Sequence, residues 1–186
     1  MKKQIILRVI PVTIIISMFS CTEPDNKTAS AQIDTKTMEP QKAAKSTIEE
    51  LGETFFMAVS QNDKSHIESS VPSKQDVITI MTDFKGTEKE KKDILKRSEE
   101  NTKQIRRNAL TSIDEIINKG KKNGIDWSKC SFSNSELKVK KENNIEFCEL
   151  LINFQYNNET YKLRIPECIK SNRGWLIFDK PKWVGK

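Results

Sequence analysis

The sequence predicts an α+β domain in which N-terminal helices pack on a C-terminal four-stranded antiparallel meander. Three observations predict it. Residues 146–156 read Glu-Phe-Cys-Glu-Leu-Leu-Ile-Asn-Phe-Gln-Tyr, so that Cys148, Leu150, Ile152, Phe154 and Tyr156 alternate with a more polar set. That is the period-2 pattern of a strand with one buried face. Asn143-Asn144 and Asn157-Asn158 flank this stretch, and Asn tolerates the positive φ of a tight hairpin turn. Residues 46–119, in contrast, place apolar side chains at helical spacing behind successive capping signals.

Taken in order, the chain begins with a leader. Met1-Lys2-Lys3 and Arg8 form a positive start, and Val9 to Phe19 is a short apolar run. A bilayer-spanning helix needs about 20 apolar residues, so this run has the length of a signal-peptide core. It ends in Met18-Phe19-Ser20-Cys21. A small residue before a cysteine at the foot of an apolar run resembles a bacterial lipoprotein signal. The resemblance implies removal of residues 1–20, lipidation of Cys21 (a palmitate-type anchor), and a position on the cell membrane or outer membrane facing an extracytoplasmic compartment. The alternative is an ordinary secretory signal in which Cys21 is incidental. Each buried acyl methylene contributes about 0.8 kcal/mol, so several chains anchor a protein stably. Residues 21–45 are polar, carry Pro24 and Pro40 and lack a sustained apolar period. They read as a disordered tether, leaving residues 46–186 as a single domain.

Ser46-Thr47-Ile48-Glu49 fits a capping box with Ser46 as N-cap and Glu49 reaching back. Ile48, Leu51, Phe55 and Val59 then mark one helical face. Asn62-Asp63 interrupts it, a short turn carries Ser65 to Ser69, and Pro72 breaks that turn. Ser73 caps a second helix bearing Val77, Ile80, Met81 and Phe84, and Gly86 stops it. Thr87-Glu88-Lys89-Glu90 opens the longest helical stretch, to about Lys119, with Glu88/Lys92, Asp93/Arg97 and Glu99/Lys103 spaced for ion pairs. Between Ile94-Leu95 and Ile105, residues 97–104 carry no apolar side chain. A helix polar all round must project into solvent, bend, or pack on the earlier helices there. Lys89 to Arg107 holds eight basic residues among acids. It reads as a solvated face, or as a docking surface for acidic headgroups or an acidic partner.

The first strand covers about Cys130 to Lys141, with Leu137 and Val139 as its inward pair. If Glu142 faces Ile145, Val139 meets Cys148 and Leu137 meets Leu150, and the apolar faces agree. If Tyr156 faces Glu159, then Phe154 meets Tyr161, Ile152 meets Leu163 and Leu150 meets Ile165. Pro166 lacks an N–H and predicts a bulge. Residues 171–174 turn the chain, Trp175 to Asp179 form the last strand, and Pro181 ends it. Tyr161-Lys162-Leu163 followed by Gly174-Trp175-Leu176-Ile177-Phe178 resembles the closing hairpin of bacterial lipoproteins with a cystatin-like or nuclear-transport-factor-like fold. Members of those families bind varied ligands, and some are enzymes.

Several chemistries find no support. The formal net charge is +6, of which Lys2, Lys3 and Arg8 lie in the leader. No aromatic-studded basic stripe accompanies the rest, so nucleic acid is not expected as a partner. No short Cys-x-x-Cys spacing exists and His66 is the sole histidine, so no metal site and no cofactor is expected. His66, with Asp63 and Ser65 nearby, is the one candidate for imidazole catalysis; the alternative is a surface histidine at a helix end. Cys148 and Cys168 lie on neighbouring strands, and a bulge at Pro166 would align them for a disulfide. Separately buried thiols are the alternative. Tyr156, Tyr161, Trp175 and Phe178 are candidates to line a ligand cleft, or else they fill the core.

The reading that follows is a membrane-anchored binding module for an envelope protein or a small apolar ligand. Its rivals are an inhibitor that blocks a toxin or hydrolase, and a cleft enzyme using His66.

Overall fold

The computed structural model describes residues 47–186; the leader, Cys21, the whole tether and Ser46 lie outside the described residues. Among the described residues three α-helices precede a five-stranded antiparallel sheet. They are α1 (Ile48–Ser60), α2 (Lys74–Asp83) and α3 (Glu88–Lys122), with a 3-10 turn at Lys64–Ser70. The strands are β1 (Ser131–Glu142), β2 (Ile145–Tyr156), β3 (Glu159–Ser171), β4 (Gly174–Ile177) and β5 (Lys182–Gly185). The order is β1-β2-β3-β4, with β5 also on β3.

All three helices start in capping boxes: Thr47 with Glu50, Ser73 with Asp76, and Thr87 with Glu90. The first corrects the expected Ser46/Glu49 box by one residue. Both positions offer a hydroxyl followed by Glu three residues on, and Thr47 is the one whose side chain accepts from Glu50 N. Ile48 is buried there with Leu51, Phe55 and Val59. Gly52 lets this helix lie close on the sheet, because a Cβ at that position would fall 2.2 Å from Ser135 Oγ.

α3 is one uninterrupted helix of 35 residues. Through the apolar gap it packs small polar side chains inward: Ser98 and Thr102 are buried. Their hydroxyls donate to the helix's own carbonyls, Ser98 Oγ to Leu95 O at 2.7 Å and Thr102 Oγ1 to Ser98 O at 2.8 Å. A buried hydroxyl satisfied in this way carries little penalty. Of the alternatives for this segment, packing on the earlier helices is the one adopted, since α2 lies against α3. Ala109, Ile113, Ile116 and Ile117 then face the main core. The helix ends against Trp127, whose Nε1 donates to Ile117 O at 3.1 Å.

Both hairpins have the expected register. Glu142 faces Ile145, Val139 faces Cys148 and Leu137 faces Leu150. Tyr156 faces Glu159, Phe154 faces Tyr161 and Ile152 faces Leu163. Asn143, Asn144, Asn157 and Asn158 all have positive φ. Between the Leu150/Ile165 pair and the Cys148/Cys168 pair, β2 contributes Glu149 and β3 contributes Pro166 and Glu167. The extra residue is the bulge that Pro166 requires.

Two differences stand out in the sheet. The last strand stops at Ile177, and a further strand, β5, follows Pro181 and pairs with residues 162–164 of β3. Leu137 and Val139, expected inward, are 39% and 51% exposed. They are on the face their partners dictate, but the helix layer does not reach that far along β1. A second, smaller apolar cluster joins Ile80 of α2 to Ile145 and Ile169, with Phe147 and Phe178 packed against it.

Candidate functional site

The residues expected to line a cleft do not converge on one. Tyr161 and Trp175 are buried in the main core. Phe154 stacks on Tyr161 at 5.6 Å and meets Trp127 at 5.2 Å, and Trp183 closes the group at 5.9 Å from Tyr161. Tyr156 is half-buried against the same core, whereas Phe178 packs on the smaller cluster. These aromatics fill the interior. His66 sits on the 3-10 turn, with Nε2 3.0 Å from Gln61 Oε1 and 3.8 Å from Asp63 Oδ2. Nucleophile, base and orienting group are not assembled there. Among the described residues no cluster of His, Cys, Asp and Glu could hold a metal ion, and no helix is long and apolar enough to cross a membrane. Cys148 and Cys168 are paired across the strands, both as free, buried thiols.

The surface hollows mix charged and apolar lining. The one beside the β3–β4 turn, about 420 Å³, is bordered by Glu68, Ser73, Lys103, Arg106 and Arg173. Its charges are already engaged. Arg173 grips Asp76 with Nε and Nη2, each at 2.7 Å, and donates through Nη1 to Ser69 O at 3.1 Å. Arg106 pairs with Glu68 at 2.8 Å and Lys103 with Glu99 at 2.8 Å. The same pairings neutralise part of the basic run on α3. Burial pushes the Asp76 carboxyl up, but hydrogen bonds from Arg173 and Ser73 outweigh it and hold it below the usual carboxylate value. This is a structural clamp between the sheet and the start of α2.

What remains open is β1. It runs for 12 residues, Ser-Phe-Ser-Asn-Ser-Glu-Leu-Lys-Val-Lys-Lys-Glu, and among the described residues pairs on one side only, with β2. On its other side alternate backbone N–H and C=O groups point away from the sheet. The strand is held firmly from behind. Asn153 Nδ2 donates to Asn134 Oδ1 at 2.6 Å and to Glu136 Oε1 at 2.9 Å, and Lys162 reaches Glu136 at 3.4 Å. The Asn153 hydrogen bond and the lysine keep the Glu136 carboxyl below its ordinary value. Toward the Asn143-Asn144 turn, Leu137 and Val139 stand uncovered on the helix side. Lys138 and Lys140 project from the opposite face, with Lys140 over the Phe147 ring at 5.3 Å. Among the described residues no carboxylate forms an ion pair with Lys138, Lys140 or Lys141. Sequence reasoning identified this edge strand but assigned Leu137 and Val139 to the core. The run of lysines interleaved with them was the local signal of exposure.

Comparison with family models, curated proteins and solved structures returns no match. The functional reading therefore rests on the geometry of this chain.

Proposed function

We propose that the folded domain is a binding module, tethered to a membrane through Cys21, whose partner is a protein of the cell envelope. One observation carries the binding part: the margin of β1, where backbone groups that no strand of the described residues pairs lie beside exposed Leu137 and Val139. Extended polypeptide is the ligand that uses such a margin, because main-chain hydrogen bonds supply affinity and alternate side chains supply selectivity. A small apolar ligand fits less well, since the aromatics that would have received it are spent on the core. The tether part is supported by the residues at 18–21, which resemble a lipoprotein signal.

Site-specific photocrosslinking in intact envelopes tests the reading. A benzoylphenylalanine at position 139 is expected to give a discrete adduct, and the same probe at exposed Lys96 on α3 is not. Equal labelling from both positions, or none from 139, refutes β1 as the binding surface. For the anchor, metabolic labelling with palmitate should tag the wild type and spare Cys21→Ser. Unlabelled wild-type protein rejects the lipid.

A further inference from the structure

The chemistry of the partner strand can be read from the same margin, an inference that rests on the binding role proposed above. We infer that β1 accepts an extended segment in which acidic side chains alternate with apolar ones. Three features of residues 137–141 lead there.

Side chains directly opposite one another across neighbouring strands share a face. A strand added beside β1 therefore sets one alternate series against Leu137 and Val139, and the other against Lys138 and Lys140. The first series meets uncovered aliphatic surface, 39% and 51% exposed. The second meets Lys138 and Lys140, which make no close ion pair among the described residues; Glu136 and Glu167 act on them from farther away. Opposite charges facing across strands stabilise the pair, and like charges facing destabilise it. The matching segment thus reads acid, apolar, acid, apolar.

A second copy of the chain is the rival occupant. Two β1 strands related by a twofold axis pair antiparallel about one residue. Centred on Val139, the axis sets Lys138 against Lys140 and Glu136 against Glu142; centred on Lys138 or on Lys140 it sets that lysine against itself, while Glu136 or Glu142 faces the other. Centred on Leu137 it pairs Lys138 with Glu136 but spends exposed Val139 on Ser135. Each register of self-pairing thus either sets lysine against lysine or wastes the aliphatic pair, and a strand with an acid opposite both lysines avoids both costs. Rigid anchoring of Glu136 to Asn153 and Lys162 keeps β1 extended before anything binds, which reduces the ordering cost of association.

The test uses the full-length chain in detergent and fluorescently labelled peptides followed by anisotropy. One peptide alternates Glu with Val, one alternates Lys with Val, and one carries the acidic sequence with a central Pro. Binding of the acidic peptide alone is the expected result. Moderate salt should weaken it, and Lys138→Glu with Lys140→Glu should weaken it on the order of tenfold or more. Proline removes a donor needed for strand pairing, so the third peptide should fail. Equal binding of the acidic and basic peptides overturns the inference, as does undiminished binding of the proline peptide. Concentration-dependent dimerisation through β1, abolished by Val139→Lys, overturns it in favour of self-pairing. A discrete crosslink from position 139 together with no acidic-peptide binding would sink this inference while leaving the binding role intact.

Discussion

Cys168 stands directly opposite Cys148 across β2 and β3, because the extra residue at Pro166–Glu167 moves it into line. Facing residues in an antiparallel pair have Cα atoms about 4.5–5.5 Å apart, within the span that a disulfide bridges. Burial pushes the Cys148 thiol up and the Cys168 thiol well up, and it raises the half-exposed Cys130 to about 11. The thiolate is the attacking species, so these thiols react before the sheet closes rather than after.

Folding in glutathione redox buffer should therefore cross-link residues 148 and 168. The two thiols give up two protons and two electrons, and glutathione disulfide leaves as two glutathione thiols. Peptide mapping of Cys130→Ser should show the bridge, and Cys148→Ala should lack it. Two fully alkylatable thiols in Cys130→Ser at every buffer ratio would rule it out. The protein folded reduced should resist later oxidation.

Arg173 and Asp76 are 15% and 2% exposed, which makes their bidentate contact a buried pair. Removing one partner leaves the other charge stranded, at a cost of about 3 kcal/mol or more. Asp76→Ala and Arg173→Met should each lower the urea midpoint accordingly. A loss as small as that of a surface pair would show that the clamp is not structural.

The same contact sets an acid limit. The Asp76 carboxyl is depressed in the folded state, so the unfolded chain binds more protons as pH falls through its ordinary value of 3.8. Its stabilisation is present above that pH and is lost progressively below it. Glu167 works in the opposite sense: burial raises its carboxyl, so its contribution falls as pH rises above 4.5. In an Asp76→Asn protein, stability measured from pH 5 to 2 should fall less steeply than in wild type. An unchanged slope would assign the acid loss to other carboxylates.

Ser135 Oγ is buried without a hydrogen-bond partner beneath Gly52. A stranded hydroxyl costs about 1 kcal/mol or more, so Ser135→Ala should be neutral or stabilising in denaturant melts. Gly52→Ala should destabilise, and part of that loss should be recovered in the double variant. Simple additivity would show that the two positions do not collide.

Gly120 allows α3 to end under the Trp127 indole, where a Cβ would come within 2.5 Å of the ring. Overpacking of this kind costs about 1–3 kcal/mol. Gly120→Ala should lose stability by that amount despite its better helix propensity. A stabilised variant would mean that the indole moves aside freely.

The hairpins were legible because each Asn-Asn turn fixes the count of residues, and only one count brings the apolar sets face to face. The bulge was legible because a proline cannot donate to the ladder. Other features lacked a local signal. Asp76 and Arg173 are 97 positions apart, and nothing near either announces the other. Residues 97–104 left three paths open, because the hydroxyls of Ser98 and Thr102 find acceptors within the helix itself and so mark no buried face in the sequence. Leu137 and Val139 obey the alternation rule, but how far the helices extend over β1 is a tertiary fact that strand periodicity does not encode. β5 was missed because Pro181 resembles a terminator, although Trp183 after it packs on the core.

That final strand has a consequence beyond its few hydrogen bonds. β4 and β5 lie end to end along the far margin of β3, four residues each. Among the described residues the sheet therefore closes on that side in two short strands rather than one long one, and short strands make poor templates for an incoming chain. Cutting away residues 182–185 would lay bare the backbone of residues 162–164 that β5 covers, and would lengthen the template that β3 presents. The closing Lys-Trp-Val-Gly thus works as a guard rail on that flank of the sheet.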